Sequence, residues 1–385
     1  MTTSALALAA VLIWLYLLFF RGHFWQLQHR LSDASGPCPE RRVVVVIPAR
    51  DEADLVGGTV GSLLTQSYPG PLHIMLVDDA STDGTALAAE RAATACGASE
   101  RLTVVPGKPL PPGWSGKVWA MAQGVEVSAR MNADYLLFTD ADIQHDTQAV
   151  SALVAQAESG SWDLLSCMVE LRADTLAERA LVPAFVFFFF MLYPPAWICA
   201  PRARTAGAAG GCMLMRPASL ARLGGLGAIR SELIDDCALA RAAKRTGSRV
   251  WLGLTRMSRS TRPYGSFSAV GRMISRTAFN QLGHSYLLLI GTLLALALTY
   301  LLPPALLLSG RAFPAALGAG AWGLMCVAYA PIVRFYRLPL AWVAALPVVA
   351  LFYAAATAQS ALQYARRQGG QWKGRAQDAP HRLRQ

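Results

Sequence analysis

HIMLVDD (residues 73–79) and YLLFTDAD (residues 135–142) are the two stretches of sequence that decide the fold. Each is a short apolar run that ends directly in acidic residues, as expected for a buried strand of a parallel sheet. In open α/β sheets, ligands bind beyond the carboxyl ends of the strands, so the two acidic clusters should meet in one crevice. Like charges brought together need a compensating cation, and divalent ions with carboxylate ligands usually supply it. The pattern predicts a metal-assisted site for a phosphorylated substrate.

Further strand and helix signals alternate around these two stretches. VVVVIP (residues 43–48) predicts another buried strand, and residues 102–105 predict a short one. Ser81 or Thr82 would be a natural N-cap for the helix that follows the second strand. Repeated βα units of this kind predict an α/β fold with a doubly wound sheet.

The composition indicates a membrane protein. The chain is 54% hydrophobic and 15% charged, which is too apolar for an ordinary soluble domain. Its formal net charge of +11 comes mainly from scattered arginines, without a basic amphipathic helix, so nucleic acid is not an expected partner. The seven cysteines include no CxxC pair, which favours neither a disulfide framework nor a zinc site. We expect a reduced catalytic domain that faces the cytoplasm.

Apolar segments at both ends predict membrane helices. Residues 4–20 carry no charge and are followed by Arg21 and Arg30. This pattern predicts an uncleaved N-terminal anchor within residues 1–30, with the chain from residue 21 onward in the cytoplasm. Each of three later apolar stretches approaches the ~20 residues that span the hydrocarbon core. They lie near residues 285–308, 313–333 and 338–358.

The charge pattern leaves the number of C-terminal spans open. If every apolar stretch in residues 281–360 crosses, the basic tail (residues 361–385) ends outside, against the positive-inside rule. One stretch is then re-entrant or interfacial, or the tail violates the rule. A fourth apolar stretch, Leu181–Ala200, cannot be a span if Asp140 and Asp236 share a site. We expect it to be a buried or interfacial element that holds the site against lipid.

Several motifs in order resemble the family 2 glycosyltransferases, which are inverting enzymes of the GT-A fold that use nucleotide-diphosphate sugars. The resemblance covers roughly residues 43–280, within a domain that we place at residues 41–280. It rests on Pro48–Glu52, Val77–Thr85, Gly116-Lys117, Asp140–Asp142, Gly211-Cys212 and Asp235–Ala240, the last of which looks like the family's Glu-Asp-x-x-Leu-Ala element. With membrane segments at both ends, the chain most resembles the hopanoid-associated glycosyltransferases of bacteria (the HpnB type). Membrane-bound ceramide glucosyltransferases are the next nearest.

The resemblance implies roles for individual residues. Those expected to bind the nucleotide sugar are Pro48, Arg50, Glu52, Asp78, Asp79, Lys117, Asp140 and Arg276. Asp142, together with Asp140, is expected to hold Mg²⁺ or Mn²⁺, which would neutralise charge on the leaving nucleotide. Asp236 is the candidate general base for the acceptor hydroxyl. Glu52 and Asp236 also have a purely structural explanation, because acidic residues are favoured in the first turn of a helix.

Four side chains keep alternative assignments. Of the family's (Gln/Arg)-x-x-Arg-Trp element this sequence keeps only Arg276, which leaves acceptor handling open. Arg262 and Arg272 compete with Arg276 for the diphosphate. His145 is a further candidate ligand for metal or phosphate, although a lone histidine near a loop is more often incidental.

These observations predict an integral membrane, inverting glycosyltransferase of the bacterial inner membrane. It would transfer a sugar from a nucleotide-diphosphate donor, a UDP-sugar first of all, to a lipid hydroxyl in hopanoid biosynthesis. A polyprenyl phosphate, diacylglycerol or ceramide-type lipid is the alternative acceptor. Two other classes stay open. A metal-dependent nucleotidyltransferase would release pyrophosphate, and an inactive sugar-nucleotide-binding subunit would have no use for a base at Asp236.

Overall fold

The structure is a computed structural model that describes residues 2–31 and 38–366, together with the backbone of residues 371–372 and 375–376. The basic tail expected at residues 361–385 lies largely outside these described residues. The short segments β9 (Gln371–Trp372) and β10 (Arg375–Ala376) pair with each other in antiparallel fashion.

A mixed eight-stranded sheet forms the centre of the molecule. Its strands are β1 (Val43–Ala49), β2 (Leu72–Asp78), β3 (Leu102–Pro106), β4 (Tyr135–Thr139), β5 (Ile143–His145), β6 (Leu164–Glu170), β7 (Cys212–Met215) and β8 (Val250–Ser260). The spatial order is β3-β2-β1-β4-β7-β6-β8-β5. The predicted α/β class is confirmed, and the strands predicted at both quoted stretches are present.

The helices flank this sheet and form a separate apolar bundle. The first part of the chain contributes α1 (Thr2–Phe19), α2 (Ala53–Leu64), α3 (Thr85–Ala95), α4 (Gly116–Ser128), α5 (Ala149–Ser159), α6 (Leu176–Leu192), α7 (Pro195–Cys199) and α8 (Pro217–Arg222). The second part contributes α9 (Asp235–Arg245), α10 (Phe267–Ser275), α11 (Ala278–Gln281), α12 (Tyr286–Leu296), α13 (Leu302–Leu306), α14 (Ala312–Phe335) and α15 (Leu346–Ala365). A π-helical turn, Ala297–Leu301, joins α12 to α13.

Strand β1 is buried on both faces, which explains its continuous run of β-branched residues. All seven of its residues are buried. Alternate side chains point to opposite sides of a sheet, so Val43 and Val45 join the core layer under α2, α3 and α5. Val44 and Val46 join the larger core that continues into the apolar helices. The sheet thus lies between two hydrophobic layers.

The sheet combines parallel and antiparallel pairs, and β6 pairs in parallel with β8. Strands β1 to β4 pair in parallel, as the repeated βα units predict. Strand β7 is antiparallel to both β4 and β6, with Cys212 opposite Thr139. It enters the sheet at the end where β4 leaves, so its first residues lie beside the acidic cluster that follows β4.

Three helical segments at the C-terminal end are long and apolar enough to cross a membrane, within the residues that the structure describes. They are Tyr286–Leu306, Ala312–Phe335 and Leu340–Ala365. Helix α1 is also apolar but shorter. It packs against this bundle, because Trp14 Nε1 donates a hydrogen bond to the Thr299 carbonyl at 2.9 Å.

Helix α6, which contains most of the fourth apolar stretch, packs between the sheet and the bundle. Phe187 and Phe188 are buried, and their rings contact Tyr329 and Tyr353 at centroid distances of 5.3 and 4.8 Å. The Tyr353 hydroxyl donates to the Leu181 carbonyl at 2.9 Å. The aromatic run therefore joins the catalytic domain to the apolar helices.

Candidate active site

A cavity of about 390 Å³ opens where β1 and β4 end. It is lined by Pro48, Glu52, Lys117, Asp140, Ala141, Asp142, Leu233, Asp235, Arg262, Tyr264, Ala269, Arg272, Met273 and Arg276. The lining comes from four regions: the carboxyl ends of the first strands, the first turn of α4, the start of α9, and the segment from the end of β8 through α10. The crevice predicted at the strand ends is therefore present.

The cavity brings together most of the residues proposed from the sequence. Those that line it are Pro48, Glu52, Lys117, Asp140, Asp142 and Arg276. The other proposed residues, Arg50, Asp78, Asp79 and Asp236, are not among those that line it. Leu233, Tyr264 and Ala269 also line it, although no sequence motif pointed to them.

Lys117 links the acidic cluster after β4 to the acidic pair at the start of α9. Its Nζ lies 2.8 Å from Asp140 Oδ1 and 3.5 Å from Asp235 Oδ2. Burial alone would lower the pKa of Lys117, but Asp140 and Asp235 raise it above the ordinary value. The lysine is consequently a permanent cation at the centre of the site.

Asp236 is held in one orientation by backbone donors. Its Oδ2 accepts from Gly210 N at 2.8 Å and its Oδ1 from Cys237 N at 2.7 Å. Burial and the adjacent Asp235 raise the pKa of Asp236 to about 6, against the opposing effect of Lys117. A carboxyl group with this pKa is ionised at neutral pH yet basic enough to accept a proton, which suits a general base.

A side chain at Gly210 would crowd the ion pairs of the site. A Cβ on Gly210 would lie 3.3 Å from both Asp236 Oδ2 and Lys117 Nζ, which is closer than ordinary van der Waals contact. The glycine therefore lets the backbone approach the carboxylate and donate to it.

Arg262 bridges the two carboxylates on the opposite wall of the cavity. Its Nη2 lies 2.6 Å from Glu52 Oε1, and its Nε lies 2.9 Å from Asp142 Oδ2. Ser260 Oγ also donates to Asp142 Oδ2, at 3.1 Å. Burial raises the pKa of Asp142, Arg262 opposes this effect, and the neighbouring Asp140 adds to it. Sequence reasoning named Arg262 only as a competitor for the diphosphate and missed this bridge.

The loops after β1 and β2 are locked together beside the cavity. Arg50 Nη1 donates to the Asp79 carbonyl and lies 3.7 Å from Asp79 Oδ2. Glu52 N donates to Thr85 Oγ1 at 2.8 Å. Asp83 accepts from Ala53 N at 2.9 Å, so its role is structural. These bonds fix the backbone on which Glu52 stands.

His145 is part of the protein interior. It is 5% exposed, with Nδ1 2.9 Å from Ser258 Oγ and Nε2 3.1 Å from Thr139 Oγ1. Burial lowers its pKa to about 4, so the ring is neutral at physiological pH. Both ring nitrogens have protein partners, and we assign His145 a structural role.

The donor set of the site fits a metal ion that binds together with a substrate. Within the described residues, no group of three or more His, Cys, Asp and Glu side chains is arranged to hold a metal on its own. Mg²⁺ usually takes only one or two carboxylates and completes its shell with substrate phosphates and water. Asp140 and Asp142 both line the cavity and offer the hard oxygen ligands that Mg²⁺ and Mn²⁺ prefer.

A second cavity lies at the opposite edge of the sheet. Its volume is about 540 Å³, and its lining includes Arg42, Tyr68, His73 and Arg101. Arg101 and Arg42 are bonded there to backbone carbonyls. It is the larger of the two, yet it lies at the amino ends of the strands and holds none of the acidic clusters. The smaller cavity, which the acidic clusters line, is therefore the candidate active site.

Comparison with solved structures supports the fold. The mannosyltransferase PcManGT from Pyrobaculum calidifontis, in complex with GDP-Man and Mn²⁺, is 20% identical to this chain, with a TM-score of 0.58. The match covers 94% of this chain and 99% of that one. TarS from S. aureus in complex with UDP is 14% identical, with a TM-score of 0.41, over 86% of this chain and 93% of that one. No curated protein matches the chain at a significant level of sequence similarity.

Comparison with family models identifies the enzyme class. The model described as "Glycosyltransferase like family 2" matches residues 39–280. This match decides against the nucleotidyltransferase alternative. It spans all eight strands of the main sheet and every residue that lines the cavity of the acidic clusters. We therefore conclude that the chain is a nucleotide-sugar transferase with a GT-A-like fold and that it belongs to glycosyltransferase family 2.

Proposed function

We propose that this enzyme is a membrane-bound inverting glycosyltransferase that transfers a sugar from a UDP-sugar to the hydroxyl group of a lipid. The observation that carries the proposal is the position of the cavity. One wall carries the carboxylates and Lys117, and another is α10. On its other side α10 packs against α15, as in the contact of Phe267 with Phe352 at 6.2 Å between ring centroids. A polar donor site thus adjoins an apolar helix bundle.

The donor half of the site would use the residues around β1 and β4. Glu52, on the loop after β1, and Asp79, on the loop after β2, would accept hydrogen bonds from a base and a ribose. Arg276 and Arg272 on the facing wall carry the positive charge that a diphosphate needs. Asp142 and Asp140 would hold Mg²⁺ or Mn²⁺. When bound, such an ion neutralises charge on the departing diphosphate.

Asp236 would act as the general base. Its carboxylate takes the proton of the acceptor hydroxyl as that oxygen attacks the anomeric carbon from the face opposite the diphosphate. The new glycosidic C–O bond forms while the bond from the anomeric carbon to the phosphate oxygen breaks. The bond electrons leave with the nucleoside diphosphate, so a single displacement inverts the anomeric configuration. The two backbone donors on Asp236 keep the carboxylate aimed for this step.

The acceptor half of the site favours a lipid. Leu233, Ala269 and Met273 give the cavity an apolar wall beside the carboxylates. This wall continues into α10, whose exposed Phe267 lies next to α15. A hydroxylated lipid could therefore present its polar head to Asp236 while its apolar body stays with the helices. A hopanoid is the leading acceptor on the resemblance of the chain, with a polyprenyl phosphate or a diacylglycerol or ceramide-type lipid next.

The catalytic domain would face the cytoplasm of a bacterial cell. Arg334 and Arg337 flank the end of α14, and Arg21 follows α1. Arg256 of β8 donates to the Phe335 carbonyl and stacks on the Phe335 ring at 4.6 Å. The basic end of α14 is thus on the side of the catalytic domain, and positive residues favour the cytoplasmic side.

The test is to incubate membranes containing the enzyme with a panel of labelled nucleotide sugars and to analyse the extracted lipids by mass spectrometry. We expect one sugar to appear on a hydroxylated lipid, with release of a nucleoside diphosphate. Membranes carrying the Asp236→Asn variant are the matched control. Label that enters only water-soluble products would contradict the lipid acceptor, and inorganic pyrophosphate as the product would contradict the transferase chemistry.

A further inference from the structure

The segment between β8 and α10 carries one side of the donor site. Residues 261–265, here called the connecting segment, include Arg262 and Tyr264, which both line the cavity. At its start, Thr261 N donates to the Asp142 carbonyl at 2.9 Å, and Thr261 Oγ1 does so at 3.1 Å. The first residue of the segment is therefore fixed to the loop that carries the metal-site carboxylate.

Glu178, in the first turn of α6, fixes the other end of this segment. Its Oε1 accepts hydrogen bonds from Tyr264 N at 2.8 Å and from Gly265 N at 3.3 Å. The side chain comes from a helix that is 86 residues away in sequence from Tyr264 and packs against the apolar bundle. No motif in the sequence pointed to it.

The contacts of Glu178 exceed what a helix cap requires. Its Oε2 accepts from Thr175 N at 2.9 Å and from Asp174 N at 3.0 Å, while Thr175 Oγ1 accepts from Glu178 N in return. This reciprocal pair is a capping box, and it needs only one carboxylate oxygen. The other oxygen, Oε1, accepts its hydrogen bonds from the connecting segment.

Glu178 is also buried without a counter-ion. The residue is 0% exposed, and within the described residues none of the ion pairs involves it. A buried carboxylate is costly unless it is fully hydrogen-bonded. Four backbone donors satisfy this one, and they hold its pKa down to about 2 despite burial. The carboxylate is thus ionised and saturated, which makes it a rigid anchor.

We infer that Glu178 is a positioning residue for Arg262, and that it holds the connecting segment so that the guanidinium lies between Glu52 and Asp142. Anchored at Asp142 and at Glu178, the segment leaves Arg262 little freedom to leave the cavity. Glu178 does not touch the cavity and acts through the backbone of Tyr264 and Gly265. The inference rests on the proposed function only in taking this cavity as the donor site.

Three variants of the full-length protein in detergent separate this role from helix capping. E178Q removes the charge and turns an amide toward the donors, so it should release the segment. T175A removes the return cap from Thr175 Oγ1 and leaves both bonds to the segment, which makes it the matched control. R262Q replaces the guanidinium group that the segment is inferred to position.

The first measurement is amide-resolved hydrogen exchange, which needs no substrate. We expect the amides of Tyr264 and Gly265 to exchange at least tenfold faster in E178Q than in the wild type, and at the wild-type rate in T175A. Equal acceleration in T175A and E178Q would reduce Glu178 to a helix cap and overturn the inference. Should E178Q not fold, E178D is measured instead, because its shorter side chain keeps the charge but does not reach the amides of Tyr264 and Gly265.

The second measurement is binding of UDP and of GDP in the presence of Mn²⁺ by calorimetry. E178Q should weaken binding about tenfold, and the E178Q/R262Q double variant should bind no more weakly than R262Q alone, as expected for residues that act as a unit. Additive losses would overturn the inference. If the wild type binds neither nucleotide, the proposed donor site fails, while hydrogen exchange still decides the role of Glu178.

Discussion

Lys117 Nζ lies 2.8 Å from Asp140 Oδ1, and this ion pair joins the donor side of the cavity to its acceptor side. The same ammonium group reaches Asp235 at 3.5 Å and lowers the pKa of Asp236. One cation thus balances three carboxylates that come from β4 and α9. Its removal should change the acid–base behaviour of the site as well as its shape.

Lys117→Met should move the acidic limb of the pH–rate profile to higher pH. Asp236 must be ionised to accept a proton, so wild-type kcat should rise through about pH 6, the pKa of that group. Without the ammonium group the pKa of Asp236 rises further, by roughly one unit. We expect a kcat loss that is about fivefold larger at pH 6 than at pH 8. Lys108→Met, at an exposed pair with Glu126, should leave the profile in place.

Asp236→Asn should lower kcat by about 10²- to 10⁴-fold, which is the usual rate contribution of a general base. Binding of the nucleotide-sugar donor should be retained. Asp235→Asn should cost less. It should also shift the acidic limb to lower pH, because Asp235 raises the pKa of Asp236. Asp235 is among the residues that line the cavity and Asp236 is not, so the comparison is informative. An inactive Asp235→Asn beside an active Asp236→Asn would transfer the role of base to Asp235.

Chelation should abolish sugar transfer, and added Mn²⁺ or Mg²⁺ should restore it. Asp142→Asn should raise the Mn²⁺ concentration needed for half-maximal activity by at least tenfold, because a neutral amide is a weaker ligand than a carboxylate. The control is Asp54→Asn, which changes an exposed acid in the first turn of α2. Full activity in EDTA would contradict the metal assignment.

The sequence was sufficient to predict the elements that carry the site, because their signals are local. Buried apolar runs that end in Asp78 and Asp140 predict strands whose carboxyl ends share one edge, and both strands are present. The meeting of Asp140 with Asp142 and Asp235 around one cavity follows from that geometry together with the family motifs.

Features that depend on distant contacts could not be predicted. Arg262 pairs with Glu52 across 210 positions and with Asp142 across 120, and no local pattern specifies either partner. The expected N-cap at Ser81 or Thr82 is wrong, since α3 begins at Thr85. Ser81 Oγ instead accepts from Asp51 N in the neighbouring loop. In each case a tertiary hydrogen bond decides what the side chain does.

His145 should make the protein less stable as the pH falls from 7 to 4. Its pKa is about 4 in the folded state and 6.5 in the unfolded state, so the unfolded chain binds the proton first. This contribution to the free energy of unfolding is fully present above pH 6.5. It is lost as the pH falls toward 4, and the total loss is about 3 kcal/mol. His145→Gln, which cannot titrate, should flatten the dependence of melting temperature on pH in this window. An unchanged slope would contradict the burial of a neutral ring; His23→Gln, at an exposed position, is the control.

Arg262→Gln should strengthen the binding of Mn²⁺ to the nucleotide-free enzyme while it weakens the binding of UDP. In the substrate-free site the guanidinium is the cation that balances Glu52 and Asp142. Removing it leaves two partly buried carboxylates without that cation, and a divalent ion can take its place.

Titration of free Mn²⁺ by electron paramagnetic resonance should show at least a tenfold gain in affinity for this variant. Arg259→Gln, at an exposed position near the end of the preceding strand β8, should match the wild type. Unchanged Mn²⁺ affinity in Arg262→Gln would mean that Asp142 is not the metal ligand. General damage to the cavity would weaken the binding of both Mn²⁺ and the nucleotide. The expected result is different, because Mn²⁺ should bind more tightly and UDP less tightly.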